Sequence, residues 1–321
     1  MPSLAKRIRY FFEWLALATT FWLIPLTPRW ILRKIASGLG LLGFYVHRDG
    51  RRTAFENLEA AFPGRWTEDE IEQIVLKCYR SWAQTYLDQF WTRRLNSEIG
   101  AQLITYPTLD EVRELSKTGG ILMTPHYGNF EWMAAGLGLH GLQYTAIAQD
   151  FKNPRLTGIF KKNREFLGHQ LIPQERAMLK LLRVLKKGGI SAFLPDLTVP
   201  PGDTATIIKM FGMKVSVTVL GAFLSKRTGL PVMTGACMPM RDGSYFAMSE
   251  KMIRFKPEQS EQEIAQQCWD SVERIINQRP EHYLWMYKHF RFRPKEGGER
   301  YPSYANRSKK FDRLEERLSE A

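Results

Sequence analysis

The chain has 321 residues, 44% of them hydrophobic, and a formal net charge of +13. That length supports one large domain or two small ones with a sizeable core, and the basic balance selects phosphates, acidic proteins or anionic lipid headgroups as partners. The three cysteines, Cys78, Cys237 and Cys268, form no CxxC or Cys/His cluster, which argues against a disulfide framework or structural zinc and fits a reducing compartment.

The N-terminus opens with Lys6, Arg7 and Arg9, followed by the uncharged run "WLALATTFWLIPL" from Trp14 to Leu26. A comfortable membrane span needs about 20 apolar residues, and extending the run back to Tyr10 takes in Glu13. A second apolar run, "IASGLGLLGFYV", follows Arg33 and Lys34, and Trp14, Trp22 and Trp30 suit the headgroup level. No small-residue cleavage site follows, which argues against a cleaved signal peptide. A soluble core helix stays open as a reading. The flanking Lys, Arg and Trp residues favour a membrane-associated segment, spanning marginally or lying in the interface, with the bulk of the chain on the cytoplasmic side.

The stretch "RRTAFENLEAAFPGRWTEDEIEQIVLKCYRSWAQTYLDQFW" reads as two helices broken at Phe62–Gly64, with Thr67 and Glu70 in a capping-box pattern. Beyond Trp91 short strands are expected at 119–125, 144–149, 190–196, 230–238 and 245–249. Helices are expected at about 130–140, 155–168, 174–187, 217–228 and 260–278. This alternation predicts an α/β fold with a central mixed sheet layered by helices. The organisation read from the sequence is an N-terminal membrane-associated helical segment at 1–46, a catalytic domain at 47–296, and a polar, mobile tail with a short helix at 297–321.

The stretch "GGILMTPHYGNFEWM" concentrates the chemistry. Pro125 ends the strand ladder, and His126 follows at the strand's C-terminal edge, where open α/β sheets place their ligands. Asn129 is a plausible helix N-cap. Glu131 lies five residues after His126; on a continuous helix the two would point about 140° apart. They meet only if His126 is in the turn and Glu131 in the first helical turn. There the carboxylate would accept from one imidazole nitrogen and leave the other free as a base. The plainer alternative is a strand-end histidine and a glutamate favoured by the helix dipole, and the pair alone does not decide between them.

Other motifs are informative by what they lack. Two GxGxxG matches, at 38–43 and 136–141, follow no expected strand and read as small residues for close helix packing. There is no GxSxG elbow, no phosphate-binding P-loop and no HExxH. The remaining histidines, His47, His140, His169, His282 and His289, show no metal-ligand spacing. No metal site is expected. Lys and Arg are spread along the whole chain without a reader motif, which argues against a nucleic-acid binder.

"TPHYGNFEW" resembles the HxxNxE block of the bacterial lipid A late acyltransferases, of lauroyl/myristoyl transferase type. Further segments are similar in order and spacing: Asn57, Leu58, Phe62 and Pro63 upstream; Asn153, Arg164 and Gly168 in "NPRLTGIFKKNREFLGHQLIP"; Asp196 closing "LLRVLKKGGISAFLPD"; and "HYLWMYKHFRFRP" near the end. The likeness covers roughly residues 50–294. One departure is "LPDLT", where the family often has Asp-Gln-Asp.

The resemblance implies an O-acyltransferase that needs no cofactor. It would move a fatty acyl group from acyl carrier protein to a hydroxyl of a lipid A precursor, on the cytoplasmic face of the inner membrane. His126 would be the general base and Glu131 its partner, with Asn129, Arg164 and Asp196 as substrate-binding residues and backbone amides near Gly128 and Asn129 as oxyanion donors. Rival readings are a related enzyme acting on another glycolipid or lysolipid, and a non-catalytic membrane scaffold.

Overall fold

The computed structural model describes residues 3–148 and 151–320. Twelve α-helices lie among them: α1 Leu4–Leu23, α2 Arg29–Val46, α3 Arg48–Ala61, α4 Glu68–Trp91, α5 Ser97–Leu103, α6 Leu109–Thr118, α7 Phe130–Leu139, α8 Pro154–Arg164, α9 Ala177–Lys186, α10 Leu220–Thr228, α11 Glu261–Gln278 and α12 Lys309–Ser319. The strands are β1 Ile104–Thr105, β2 Gly120–Met123, β3 Thr145–Ala148, β4 Gln170–Pro173, β5 Ile190–Phe193, β6 Ala205–Met210, β7 Met213–Thr218, β8 Val232–Pro239, β9 Tyr245–Ser249, β10 Phe292–Arg293 and β11 Asn306–Arg307. Gln149, the last residue of one expected strand, falls outside the described residues.

Seven strands form a mixed sheet in the order β1-β9-β8-β2-β5-β3-β4. β8, β2, β5, β3 and β4 run parallel, while β8 and β9 pair antiparallel. The central strands are short apolar runs buried on both faces, as parallel strands between helical layers must be. In β2, Ile121 and Met123 are buried, and Leu122 is partly covered on the other face. A separate antiparallel hairpin, β6–β7, was not expected from the sequence. Its turn places Phe211 and Gly212 at φ 48° and 75°, the geometry of a tight hairpin turn in which a phenylalanine is rare.

Capping fixes the helix boundaries. The Thr67/Glu70 capping box opens α4, and a second, Ser260/Glu263, opens α11. α2 packs along α4 through Leu32, Ala36, Gly40 and Phe44. A Cβ on Gly40 would lie 2.5 Å from the Arg80 Cα, and one on Gly136 would lie 2.3 Å from the Tyr106 hydroxyl oxygen. Both glycine motifs therefore permit close packing.

Two expectations change. The C-terminal tail is docked: Phe311 is fully buried and Leu314 nearly so, Arg300 donates to the main-chain oxygens of Ala60 and Phe211, and Ser303 bonds Glu56. The short helix expected there forms as α12, and its narrow apolar stripe of Phe311 and Leu314 docks it. At the other end, no helix among the described residues is long and apolar enough to cross a membrane. Instead α1, the short turn after it and the start of α2 leave Ile8, Phe12, Trp22, Leu26 and Trp30 half or more exposed.

Candidate active site

His126 follows β2 at its C-terminal end, and Asp196 lies just beyond the paired strand β5. The parallel register that aligns Met123 with Phe193 places the two loops side by side. The His126 Nδ1 lies 2.7 Å from Asp196 Oδ1, and the His126 main-chain N–H donates to Asp196 Oδ2 at 2.8 Å. One carboxylate thus fixes both the ring and the backbone that carries it. Burial alone would raise the Asp196 pKa; the imidazole and its hydrogen bonds outweigh that and hold the carboxyl below the usual aspartate range. His289 backs the pair, its Nδ1 3.1 Å from the Asp196 carbonyl oxygen and its Nε2 2.6 Å from that of Leu284.

This corrects the sequence expectation for Glu131. Its carboxylate faces Arg164, which donates from Nε at 3.2 and 3.1 Å and also from Nη2. α7 starts at Phe130, so Glu131 lies in its first turn while His126 stays in the preceding loop. That is the arrangement in which a meeting was allowed. Asp196, from a different strand, takes the imidazole nitrogen first. Glu131 and Arg164 still line the same cavity as His126.

Asn129 is also corrected. It is fully buried, accepts from the Trp132 N–H at 2.9 Å as the α7 N-cap, and donates to Asp88 at 3.1 Å. It does not line the cavity and is not placed to bind substrate. The expected oxyanion donors fail for a similar reason. The Gly128 N–H donates to the His282 carbonyl at 2.9 Å and that of Asn129 to the Cys237 carbonyl at 2.8 Å, so both amides are taken. Gly128 is required here: its φ is +54°, and a Cβ would fall 2.1 Å from the Cys237 oxygen.

Behind this turn lies a buried polar network that the sequence did not reveal. Asp88 on α4 is fully buried and accepts from Arg29, Gln84, Asn129 and Tyr245. Burial raises its pKa against the pull of Arg29. Arg29 opens α2, so the network ties the N-terminal helices to the cap of α7.

In front of the turn is a cavity of about 930 Å³, within the range of small-molecule sites. The His126 ring stacks beside Trp82 at 6.1 Å and meets Phe130 edge-on at 5.2 Å. Its Nε2 has no partner among the described residues, and the ring lines the cavity. Ala134, Ala146, Ala192 and Gly235 leave space between α7 and the sheet. Lys161, Lys162, Arg291 and Arg293 are not among the lining residues. No group of three or more potential metal ligands occurs among the described residues.

A histidine oriented by a buried carboxylate, with its far nitrogen open to a mainly apolar cavity at the C-terminal edge of an α/β sheet, is the form of site found in an acyltransferase. The chain belongs to the bacterial lipid A biosynthesis acyltransferase family, whose model matches residues 3–292. It is 25% identical to the lipid A biosynthesis lauroyltransferase of Escherichia coli (strain K12), covering 91% of this chain and 95% of that one. It is 26% identical to a lipid A biosynthesis acyltransferase of Haemophilus influenzae, over 90% and 93% of the two chains. It is also 21% identical to lipid A biosynthesis acyltransferase 2 of Shigella flexneri, over 91% and 94%.

Proposed function

We propose that the protein transfers a fatty acyl group from an acyl carrier protein thioester to a hydroxyl of a lipid A precursor, at the cytoplasmic face of the inner membrane. The observation that carries the reading is the His126 imidazole, held at Nδ1 by Asp196 and open at Nε2 to the cavity. Nε2 takes the proton of the acceptor hydroxyl as its oxygen attacks the thioester carbonyl. The tetrahedral intermediate collapses, the C–S bond breaks, and the imidazolium returns the proton to the departing thiolate. A positioned general base of this kind contributes about 10²–10⁴ in rate, and Asp196 steadies the tautomer and the imidazolium. In this reading His126 keeps the base role, and Asp196 takes over as its partner.

No protein nucleophile is needed. The three cysteines are buried, and burial pushes the thiols of Cys78 and Cys268 up to about 12, far from thiolate character at neutral pH. Glu131 fixes Arg164 through Nε and Nη2; its Nη1 has no protein partner among the described residues and is offered to the thioester carbonyl oxygen or an acceptor phosphate. The +13 charge suits an acidic carrier protein and a phosphorylated lipid. The exposed apolar residues of α1 and α2 suit an interfacial membrane contact.

The test is an assay of purified protein in detergent with a panel of acyl carrier protein thioesters and a lipid A precursor, read by acceptor mass. A gain of one acyl group, lost in folded His126→Ala protein, is the expected result. No gain, under conditions where a relative is active, overturns the acceptor assignment.

A further inference from the structure

α9 carries Lys180, Arg183 and Lys186, with Arg176 at its N-cap, Lys187 at its C-cap and no acidic residue between them. Its buried side chains are Ala177, Leu181 and Leu185, and the helix packs on α10 and on β3, β4 and β5. At 3.6 residues per turn, Lys180, Arg183 and Lys187 fall on one stripe, turned away from Leu181 and Leu185. Arg176, Arg183, Lys186 and Lys187 are exposed, and Lys180 is half-buried.

These cations lack a counter-charge. None of the five forms an ion pair among the described residues, whereas Lys161 and Arg164 of α8 face Glu165 and Glu131, and Arg29 of α2 faces Asp88. Glu175, the acid just before Arg176, is exposed and pairs with none of them. Like charges three and four residues apart on a helix repel, so the stripe gains from an anionic partner. Leu179, 51% exposed, lies beside the stripe, and Met178, 43% exposed, lies in the first turn.

This face adjoins the cavity. Tyr86, Phe151, Gln174 and Leu197 line the cavity and are exposed, so it reaches the surface at these residues. Leu171 of β4 and Gln174 just after it are both in the lining. Arg176 follows Gln174 by two residues, at most about 7 Å of chain.

An anionic membrane is the rival partner. An interfacial helix needs a broad apolar face turned to the lipid, and the apolar face of α9 is buried against the protein. The helices that do expose large apolar side chains, α1 and α2, pack on α8 and α4 instead. An acidic protein needs the complementary charge and only a small apolar centre.

Resting on the acyl-transfer reading above, we propose that the basic face of α9, from Arg176 to Lys187, is the docking surface for the acidic carrier protein that delivers the acyl thioester to the cavity.

The experiment titrates full-length protein in detergent with fluorescently labelled acyl carrier protein, read by anisotropy at low and raised salt. Transfer is then measured with the acyl group on the carrier and on a small thiol, N-acetylcysteamine. The test variant is Lys180→Glu/Arg183→Glu/Lys187→Glu; the same three positions changed to Gln give a milder form. Lys309→Glu/Lys310→Glu/Arg313→Glu on α12 controls for net charge. The test variant should raise the carrier Kd at least about tenfold and weaken its salt dependence, with a smaller rise in the Gln form. The α12 control should stay within about twofold, as should transfer from the small thiol in all variants. Carrier binding that survives the Glu substitutions, or that falls equally in the α12 control, overturns the proposal. So does loss of vesicle co-sedimentation with carrier binding intact, which would give this face to the membrane. Binding is read without turnover: carrier that binds through α9 with no transfer in wild type would remove the acyl-transfer reading alone, and transfer with binding indifferent to α9 would remove the docking surface alone.

Discussion

The Glu131 carboxylate is gripped by Arg164 from two nitrogens, with the Glu131 side chain only 9% exposed and that of Arg164 33%. The Glu131 charge raises the Arg164 pKa. The pair therefore acts as one fixed cation-bearing unit on the cavity wall, across from the His126–Asp196 pair.

Because the fork geometry matters, Arg164→Lys should lose about tenfold or more in kcat/KM while changing stability by less than about 1 kcal/mol. Glu131→Gln should cost about 1–2 kcal/mol of stability, reduced from the fully buried case by the exposure of Arg164. The double variant Glu131→Gln/Arg164→Met should be less destabilised than the sum of its singles. Urea unfolding and steady-state kinetics on wild type, Arg164→Lys, Arg164→Met, Glu131→Gln and the double variant check all three.

The elements around this site were legible to different degrees. β2, β5, α7 and α8 announced themselves through apolar runs, Pro125 and the cap at Asn129, and His126 was placed at the strand end where it is found. The partner of His126 was not legible. Asp196 is seventy positions away, and only the parallel register of β2 on β5 brings it within 2.7 Å. Local spacing promoted Glu131, five residues off, over a residue joined by topology. The Asp88 network and the cavity residues Tyr86 and Gln89 lie in a helix whose pattern reads as ordinary core, so nothing in the spacing marked them. The β6–β7 hairpin was hidden because its turn carries Phe211 where a glycine or asparagine is the usual signal.

Asn129 is a structural cap in this account, with a direct thermal consequence. Asn129→Ala removes the cap to Trp132 and one of the three donors to Asp88 Oδ2, which keeps Arg29 and Tyr245. A loss of about 2–3 kcal/mol is expected from the two effects, seen as a lower Tm. KM for both substrates should hold within about twofold in the folded protein, because the side chain does not reach the cavity. A large KM change with unchanged Tm would contradict the assignment.

His282 sets part of the acid limit of stability. The ring is buried, neither nitrogen makes a hydrogen bond among the described residues, and burial pulls its pKa from 6.5 to about 4 against the Glu281 carboxylate 3.9 Å from Nε2. In the unfolded chain this group takes up its proton near 6.5; in the native protein it does so only near 4. As pH falls from 6.5 toward 4 the unfolded state binds more protons, so stability falls through that window and is fully present above it. The drop is up to about 3 kcal/mol at ~1.4 kcal/mol per pKa unit. Burial lowers the pKa values of His169 and His289 as well, in the same direction. His282→Phe, which keeps an aromatic ring against Tyr127, should flatten part of the slope of unfolding free energy between pH 6.5 and 4, measured by urea titration at each pH.

The exposed apolar side chains of α1 and α2 make a testable surface. Phe12, Trp22, Leu26 and Trp30 are each more than 60% exposed. Replacing Trp22, Leu26 and Trp30 with serine should lower partitioning onto vesicles of anionic and zwitterionic lipid by at least about tenfold, since each large side chain contributes about 1.5–3 kcal/mol when buried. Stability should change little, as these groups pack against little of the protein. Co-sedimentation unchanged in the triple variant would show that another surface meets the membrane.

We propose that Asp196, from across the sheet, is the working partner of the His126 base. Single-turnover acyl transfer with saturating acceptor tests it most directly, in wild type, His126→Ala, Asp196→Asn and Glu131→Gln proteins matched for folding by circular dichroism. The account predicts that Asp196→Asn loses at least about a hundredfold in the chemical step, approaching His126→Ala, because the tautomer and imidazolium are no longer supported, and that Glu131→Gln loses less. Asp196→Asn protein that transfers acyl groups at the wild-type rate, with Glu131→Gln as inactive as His126→Ala, would contradict it.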